Sequence, residues 1–343
     1  NNSKINNNKR KNMNNFKKIG LSALAGSLAA MSVNAAELTA TGGASITFAG
    51  QEAVSSGNGL SMNDSITFSG STELDNGWTV STSFLLDNSD GVANTIFDAR
   101  SLTIDTGSAG IISFEGDDAS GAMGAVDDVM PTADGNETWD VLGASDRLSA
   151  GVEVGALGSA NSNNMMKYSS GSLIDGVSLK ASYTPSGTTE AESSVDFAVE
   201  YTGYDGLTLG YAIGEDNAVA GTGSFDVDTM YIKYVYGSAT MGYQSSEKVG
   251  NTAANTDEFK AWGITYAITE DFSVGYAESN VNVGDATVDQ ETSNVSFSYT
   301  MGGMSVTGSF IDQENSGGST AAADDRKGYE LGQIGRASCR ERV

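Results

Sequence analysis

From Leu38 onward, apolar and polar residues change places at nearly every step. Leu38, Ala40, Gly42, Ala44, Ile46 and Phe48 hold one parity, and Thr39, Thr41, Gly43, Ser45 and Thr47 hold the other. Successive side chains of a strand point to opposite faces. A period of two therefore predicts a ribbon with one apolar face and one small, hydroxylated face. The pattern recurs at Ile66, Phe68, Gly70 and Leu74 against Ser65, Thr67, Ser69 and Glu73. It recurs again at Trp78, Val80, Phe84 and Leu86 against Thr79, Ser81, Ser83 and Asp87. Further strands are predicted near 98–106, 110–115, 164–170, 177–184, 194–201, 207–214, 228–236, 239–245, 258–268, 272–279, 291–300 and 304–311. A last one begins near Lys327, which brings the number to sixteen.

The segments between these strands alternate in length. Short turns occur at Asp75-Asn76-Gly77, Gly107 to Gly110, Asp175-Gly176, Gly203 to Gly206, Gly237-Ser238, Thr269 to Asp271 and Gly302-Gly303. Longer polar stretches lie between them at 49–63, 88–97, 116–163, 185–193, 215–227, 246–257, 280–290 and 312–326. Tight turns on one side and long loops on the other are the arrangement of an outer-membrane barrel. Pro131 and Pro185 both fall in long loops, where no ladder hydrogen bond is lost.

A soluble sandwich also alternates, so two further features decide between water and lipid. The polar face is Ser, Thr, Gly and Asp, not the Lys/Glu mixture of a soluble exterior. Aromatics gather beside the short turns, at Trp78, Tyr201, Tyr204, Tyr236 and Phe272, as the girdle of a lipid-facing barrel requires. Unpaired backbone in lipid costs several kcal/mol per group, so the first and last strands must meet. The expected fold is all-β: a sixteen-stranded antiparallel transmembrane β-barrel whose last strand is truncated. A ring that size is too wide for side chains to fill and leaves an aqueous channel.

The two ends read differently from the middle. Residues 1–12 look like translated upstream sequence. Residues 13–35 carry the basic pair Lys17-Lys18, a short apolar stretch and the small-residue site Val33-Asn34-Ala35, which is the pattern of a secretory signal peptide. The barrel is assigned to 36–333. Residues 334–343, IGRASCRERV, resemble a translated sequencing adapter and are set outside the fold; they hold the only cysteine, Cys339.

Charge then narrows the function. The chain has 18 basic and 44 acidic residues, a net charge of −26. The two ends hold half of the bases and a single acid, so the barrel itself is more acidic still. Such a chain does not seek nucleic acid or anionic lipid. With no His and no Cys outside the tail, Ser–His and Cys–His catalysis have no residues to use, so no enzyme is expected. A secreted acidic β-rich adhesin is a rival of another class. A solenoid version of it would need a fixed repeat period, which the unequal loops lack.

From AELTATGGASITFAG at 36–50 to DRKGYEL at 325–331, the chain resembles a Gram-negative general diffusion porin of the acidic kind found in marine alphaproteobacteria. The resemblance implies a homotrimer in the outer membrane, reached after export through the periplasm, that passes small hydrophilic solutes and ions. Such porins end on an aromatic residue; its absence here agrees with a truncated last strand. The resemblance also implies that the third long loop, 116–163, folds into the lumen as a constriction. Its candidate acids are Glu115, Asp117, Asp118, Asp127 and Asp128. Similar porins set basic wall residues opposite such acids. Lys167, Lys180 and Lys233 occupy the polar parity of their strands and are the wall candidates, since a lysine facing the bilayer midplane costs about 2–4 kcal/mol. Arg100 shares parity with Leu102 and Ile104, which suits snorkelling at the outer rim. Arg147 lies in the long loop, placed to pin it against an acid.

Excess acid predicts a cation-preferring pore, most so at low salt, where the screening length is about 10 Å at 0.1 M. No cofactor is expected. The acid runs Asp127-Asp128 and Asp324-Asp325 read first as solvated loop faces and second as oxygen ligands for Ca2+ or Mg2+, without EF-hand spacing. A substrate-selective channel of the same fold would show an aromatic track along the lumen. Few aromatics have inward parity, Tyr231 among them, so general diffusion is the preferred reading.

Overall fold

The computed structural model describes residues 37–51, 59–87, 97–117, 121–126, 129–135, 164–185, 193–216, 225–250, 252, 256–321 and 325–341. Sixteen strands are present: β1 Glu37–Gln51, β2 Leu60–Glu73, β3 Thr79–Asp87, β4 Ala99–Asp105, β5 Ile111–Asp117, β6 Met165–Ile174, β7 Val177–Thr184, β8 Ser194–Tyr204, β9 Leu207–Asp216, β10 Phe225–Tyr236, β11 Ala239–Val249, β12 Asp257–Ala267, β13 Phe272–Val283, β14 Gln290–Met301, β15 Met304–Glu314 and β16 Arg326–Glu341. Each pairs antiparallel with its sequence neighbours, and β1 pairs with both β2 and β16, closing the ring. No edge is left to expose unpaired backbone to lipid.

Side chains follow the predicted parity. On the outward face large apolar residues are exposed, among them Ile66 at 47%, Val295 at 55% and Phe310 at 50%. A soluble protein would bury such residues; a barrel turns them to lipid. Inward, in the alternate register rows, stand Ser, Thr, Asn and Gln. Aromatic pairs mark both ends of the apolar band. Phe272 and Tyr299 meet edge to face beside a short turn, with ring centroids 6.5 Å apart, and Trp262 and Tyr276 tilt together at 5.6 Å toward the loop side.

The short turns depend on glycine where the backbone needs a left-handed conformation. Gly206 has φ +73°, and a Cβ there would lie 2.4 Å from the carbonyl oxygen of Val235. Both the dihedral and the space exclude other residues.

The last strand differs from expectation. It is the longest, because residues 334–341, set outside the fold on sequence, continue along β1 from Ser45 to Leu38. Ladder bonds join backbone groups, so ring closure recruits any available stretch without proline, whatever its side chains.

Candidate functional site

After β5 the chain turns back into the barrel. Its described parts, 121–126 and 129–135, lie against the inner wall from β7 to β14 and are fastened at three places. The Ala122 amide donates to Ser182 Oγ at 3.0 Å, and that hydroxyl donates to Asp196 Oδ2 at 2.9 Å. Gln244 grips the middle: Oε1 accepts from the Val129 amide at 3.3 Å, and Nε2 donates to the Val126 carbonyl at 3.2 Å. The Ala133 amide donates to Ser296 Oγ at 3.0 Å.

Between these fastenings the loop is greasy. Met123, Val126 and Met130 are buried against inward-facing Ala198, Ala212, Val227, Tyr231, Phe259, Ala261 and Val281. Full burial of a side chain such as Met or Val contributes about 1.5–3 kcal/mol. Lumen-facing Val, Phe and Tyr break the polar-inside rule because they do not meet water; they meet the loop. Three glycines of neighbouring strands make room for it. A Cβ on Gly242 would lie 2.9 Å from Pro131 Cδ, one on Gly263 2.5 Å from the Pro131 carbonyl oxygen, and one on Gly275 2.9 Å from the Ala133 amide nitrogen. The wall thus carries a shallow trough across β11, β12 and β13, and the loop backbone lies in it.

The covering is one-sided. Inward residues of β8 to β15, such as Asp196, Thr229, Thr292 and Gln313, are buried. Those of β1 to β4, including Ser45, Thr67, Ser69, Ser83 and Ser101, stay partly exposed. Among the described residues, the inward sector left open is this hydroxylated one.

Of the predicted constriction acids, Glu115 faces the lumen near the loop end of β5 and forms an ion pair with Lys167 on β6 at 2.6 Å. The backbone of Asp117 ends β5, while Asp118, Asp127 and Asp128 lie outside the described residues, as do Arg147 and Asp324. The three lysines all have inward register. Lys167 stands between Ser113 and Ser182, Lys180 between Ser169 and Ala198, and Lys233 between Thr208 and Gly242. Lys167 and Lys180 are one diagonal step apart, and Lys233 lies toward the short turns, away from the Glu115–Lys167 pair. Arg100 faces outward and lies across Gly116, as its parity implies. Asp325 accepts a bond from the Asn315 amide at 3.0 Å. Among the described residues no group of three or more potential metal ligands comes together.

Sequence reasoning missed the fastenings Ser182, Asp196, Gln244 and Ser296, which sit in ordinary polar parity. The apolar spacing Met123, Val126, Met130 inside a loop was a readable signal. Tyr231, noted as an inward aromatic, packs in the loop core, and its hydroxyl donates to Glu200 Oε2 at 2.5 Å.

The model of the Gram-negative porin family matches residues 20–280. No curated protein matches the chain significantly. Among solved structures, the anion-selective porin from Comamonas acidovorans aligns with a TM-score of 0.65 at 14% identity, over 88% of this chain and 100% of that one. A multiply substituted Rh. blastica porin aligns at 0.61 and 16% identity, with the same coverage. At such identities the likeness carries the fold alone, while the family match spans most of the chain. A closed barrel of sixteen strands, an inward-folded third loop and that match together make this chain a member of the Gram-negative porin family, a diffusion channel of the outer membrane.

Proposed function

We propose that the barrel passes small hydrophilic solutes and ions passively with a preference for cations, and that it works as a homotrimer exported through the periplasm. The observation that carries the cation preference is the acid excess of the chain together with the open inward sector of β1 to β4, which holds no base. The chain holds 44 acids against 18 bases, and Lys167 on the lumen wall is already neutralised by Glu115. The exposed inward sector of β1 to β4 contains hydroxyls and no base. Fixed negative charge raises the local concentration of cations and lowers that of anions. Glu115, Asp117, Asp118, Asp127 and Asp128 are the acids of the narrow zone, with Lys167, Lys180 and Lys233 as wall cations. The fold does not set the sign of selectivity, since the Comamonas relative is named anion-selective. The trimer is proposed on family membership.

The test is single-channel recording in planar bilayers under a KCl gradient. The reversal potential is expected on the cation side at 0.1 M and closer to zero at 1 M, where the screening length is about 3 Å. A reversal potential on the anion side would overturn the cation preference, and bilayers left unpermeabilised would overturn the channel itself.

A further inference from the structure

The inner wall of β7 to β10 carries charges of alternating sign at one level. Lys180 stands three residues above Val177, the short-turn end of β7. Glu200 stands four above Tyr204 on β8, and Lys233 three above Tyr236 on β10. All three have inward register and are partly exposed. Just above them Ala198 and Ala212 are buried in the loop core; below them, inward Val235 is 45% exposed. On these strands the wall therefore opens to the lumen at this level, on the short-turn side of the loop.

Glu200 is held by a dedicated arrangement. Glu200 on β8, Gly210 on β9 and Tyr231 on β10 form one register row. Gly210 lets the Tyr231 ring lie across β9, since a Cβ there would fall 2.0 Å from ring carbon Cε1. The ring packs in the loop core, and its hydroxyl donates to Glu200 Oε2 at 2.5 Å. That bond draws the carboxylate toward β10 and away from Lys180, whose Cα is one diagonal step, about 7–8 Å, from that of Glu200. At such a spacing an untethered glutamate and a lysine reach each other. Here they stay apart: among the described residues Lys180 and Lys233 enter no hydrogen bond and no ion pair. Lys180 flanks the tethered acid from one side, a row higher, and Lys233 from the other, a row lower.

One carboxylate tethered between two unpaired ammonium groups leaves charge of both signs facing the lumen. A solute carrying both charges satisfies them together: its ammonium meets Glu200, and its carboxylate meets Lys180 or Lys233. A simple anion meets the acid beside the lysines and a simple cation meets the lysines beside the acid, so each is also repelled. We propose that this arc is a transient docking station for small zwitterionic solutes of the amino-acid class. The proposal rests on the channel reading in that such solutes must reach the lumen.

The test is saturation-transfer NMR on the full chain in deuterated detergent, with β-alanine, propionate and propylammonium as probes of matched size. β-Alanine is expected to bind about ten-fold more tightly than either singly charged probe, the worth of one added charge-assisted contact. Glu200→Gln and the double variant Lys180→Gln/Lys233→Gln should each abolish that margin, with the gel mobility of the folded barrel unchanged. Tyr231→Phe keeps every charge and the ring in the loop core, yet frees Glu200 to close on Lys180; it should lose most of the margin too. Propionate or propylammonium binding as tightly as β-alanine, a margin that survives either charge variant, or one untouched in Tyr231→Phe would each overturn the proposal. Conductance of the same preparation separates the two readings. A non-conducting barrel that keeps the margin counts against the channel alone, and a conducting barrel without it against the station alone.

Discussion

Replacing Gln244 with Met isolates what holds the constriction loop. The two side chains have similar volume, so the apolar contacts stay filled while both grips on the loop backbone are lost. Gln244 is 2% exposed, and Val126 beneath it is fully buried. The substitution strands the Val126 carbonyl and the Val129 amide, which bond to it at 3.2 and 3.3 Å. A stranded buried group costs about 1–3 kcal/mol, so two cost about 3 kcal/mol together at the lower half of that range. At about 1.4 kcal/mol per factor of ten, the undocked loop becomes about a hundred-fold more populated. The backbone ladder to Tyr231 and Ala261 is untouched; on the wall Gln244 Nε2 also donates to Thr229 Oγ1 at 3.2 Å and Ser246 Oγ at 3.3 Å, and those two hydroxyls keep each other as partners. The assay is single-channel recording at fixed voltage, with heat-shifted gel migration as the check on folding. Gln244→Met should fold normally and show brief steps to higher conductance with raised open-channel noise. A folded variant whose conductance and noise match the wild type would refute the view that these two bonds hold the loop.

Two further outcomes follow from the same geometry. Gly263→Val should push the loop out of its trough, because a Cβ there lies 2.5 Å from the Pro131 carbonyl oxygen, and should raise the unitary conductance of a barrel that still folds. Glu115→Gln should leave Lys167 without its 2.6 Å partner in a lumen-facing position and move the KCl reversal potential toward anions; an unchanged potential would mean this pair lies away from the ion path.

The strands were legible because lipid imposes the period. Every outward residue in the apolar band must be hydrophobic, so Ile66, Phe68, Val295 and Phe310 announce their parity in sequence. Strand ends were read short for the same reason. β2 begins at Leu60, β10 at Phe225 and β13 runs to Val283, each beyond its predicted limit. Past the band the outward positions carry acids and amides, as at Asp64, Asp226 and Asn282, and the apolar-outward pattern that marks a strand is lost. The inward folding of the loop came from resemblance, since period-two patterning speaks only of faces. What betrays it in the residues is the breach of the rule: Val227, Phe259 and Val281 point inward, where water alone would have demanded hydroxyls. The fastening side chains were illegible because a Gln or Ser that bonds a loop looks the same in sequence as one that bonds water.

The one-sided seating of the loop makes the channel's tolerance of substitution lopsided. A newcomer on the inner faces of β1 to β4 meets passing solute and edits what crosses; the same newcomer on β9 to β13 meets packed methionine and glycine and edits whether the plug stays home. A scan of inward positions around the ring should therefore split into two arcs, one altering transport at constant stability and the other loosening the plug while solute chemistry goes unnoticed.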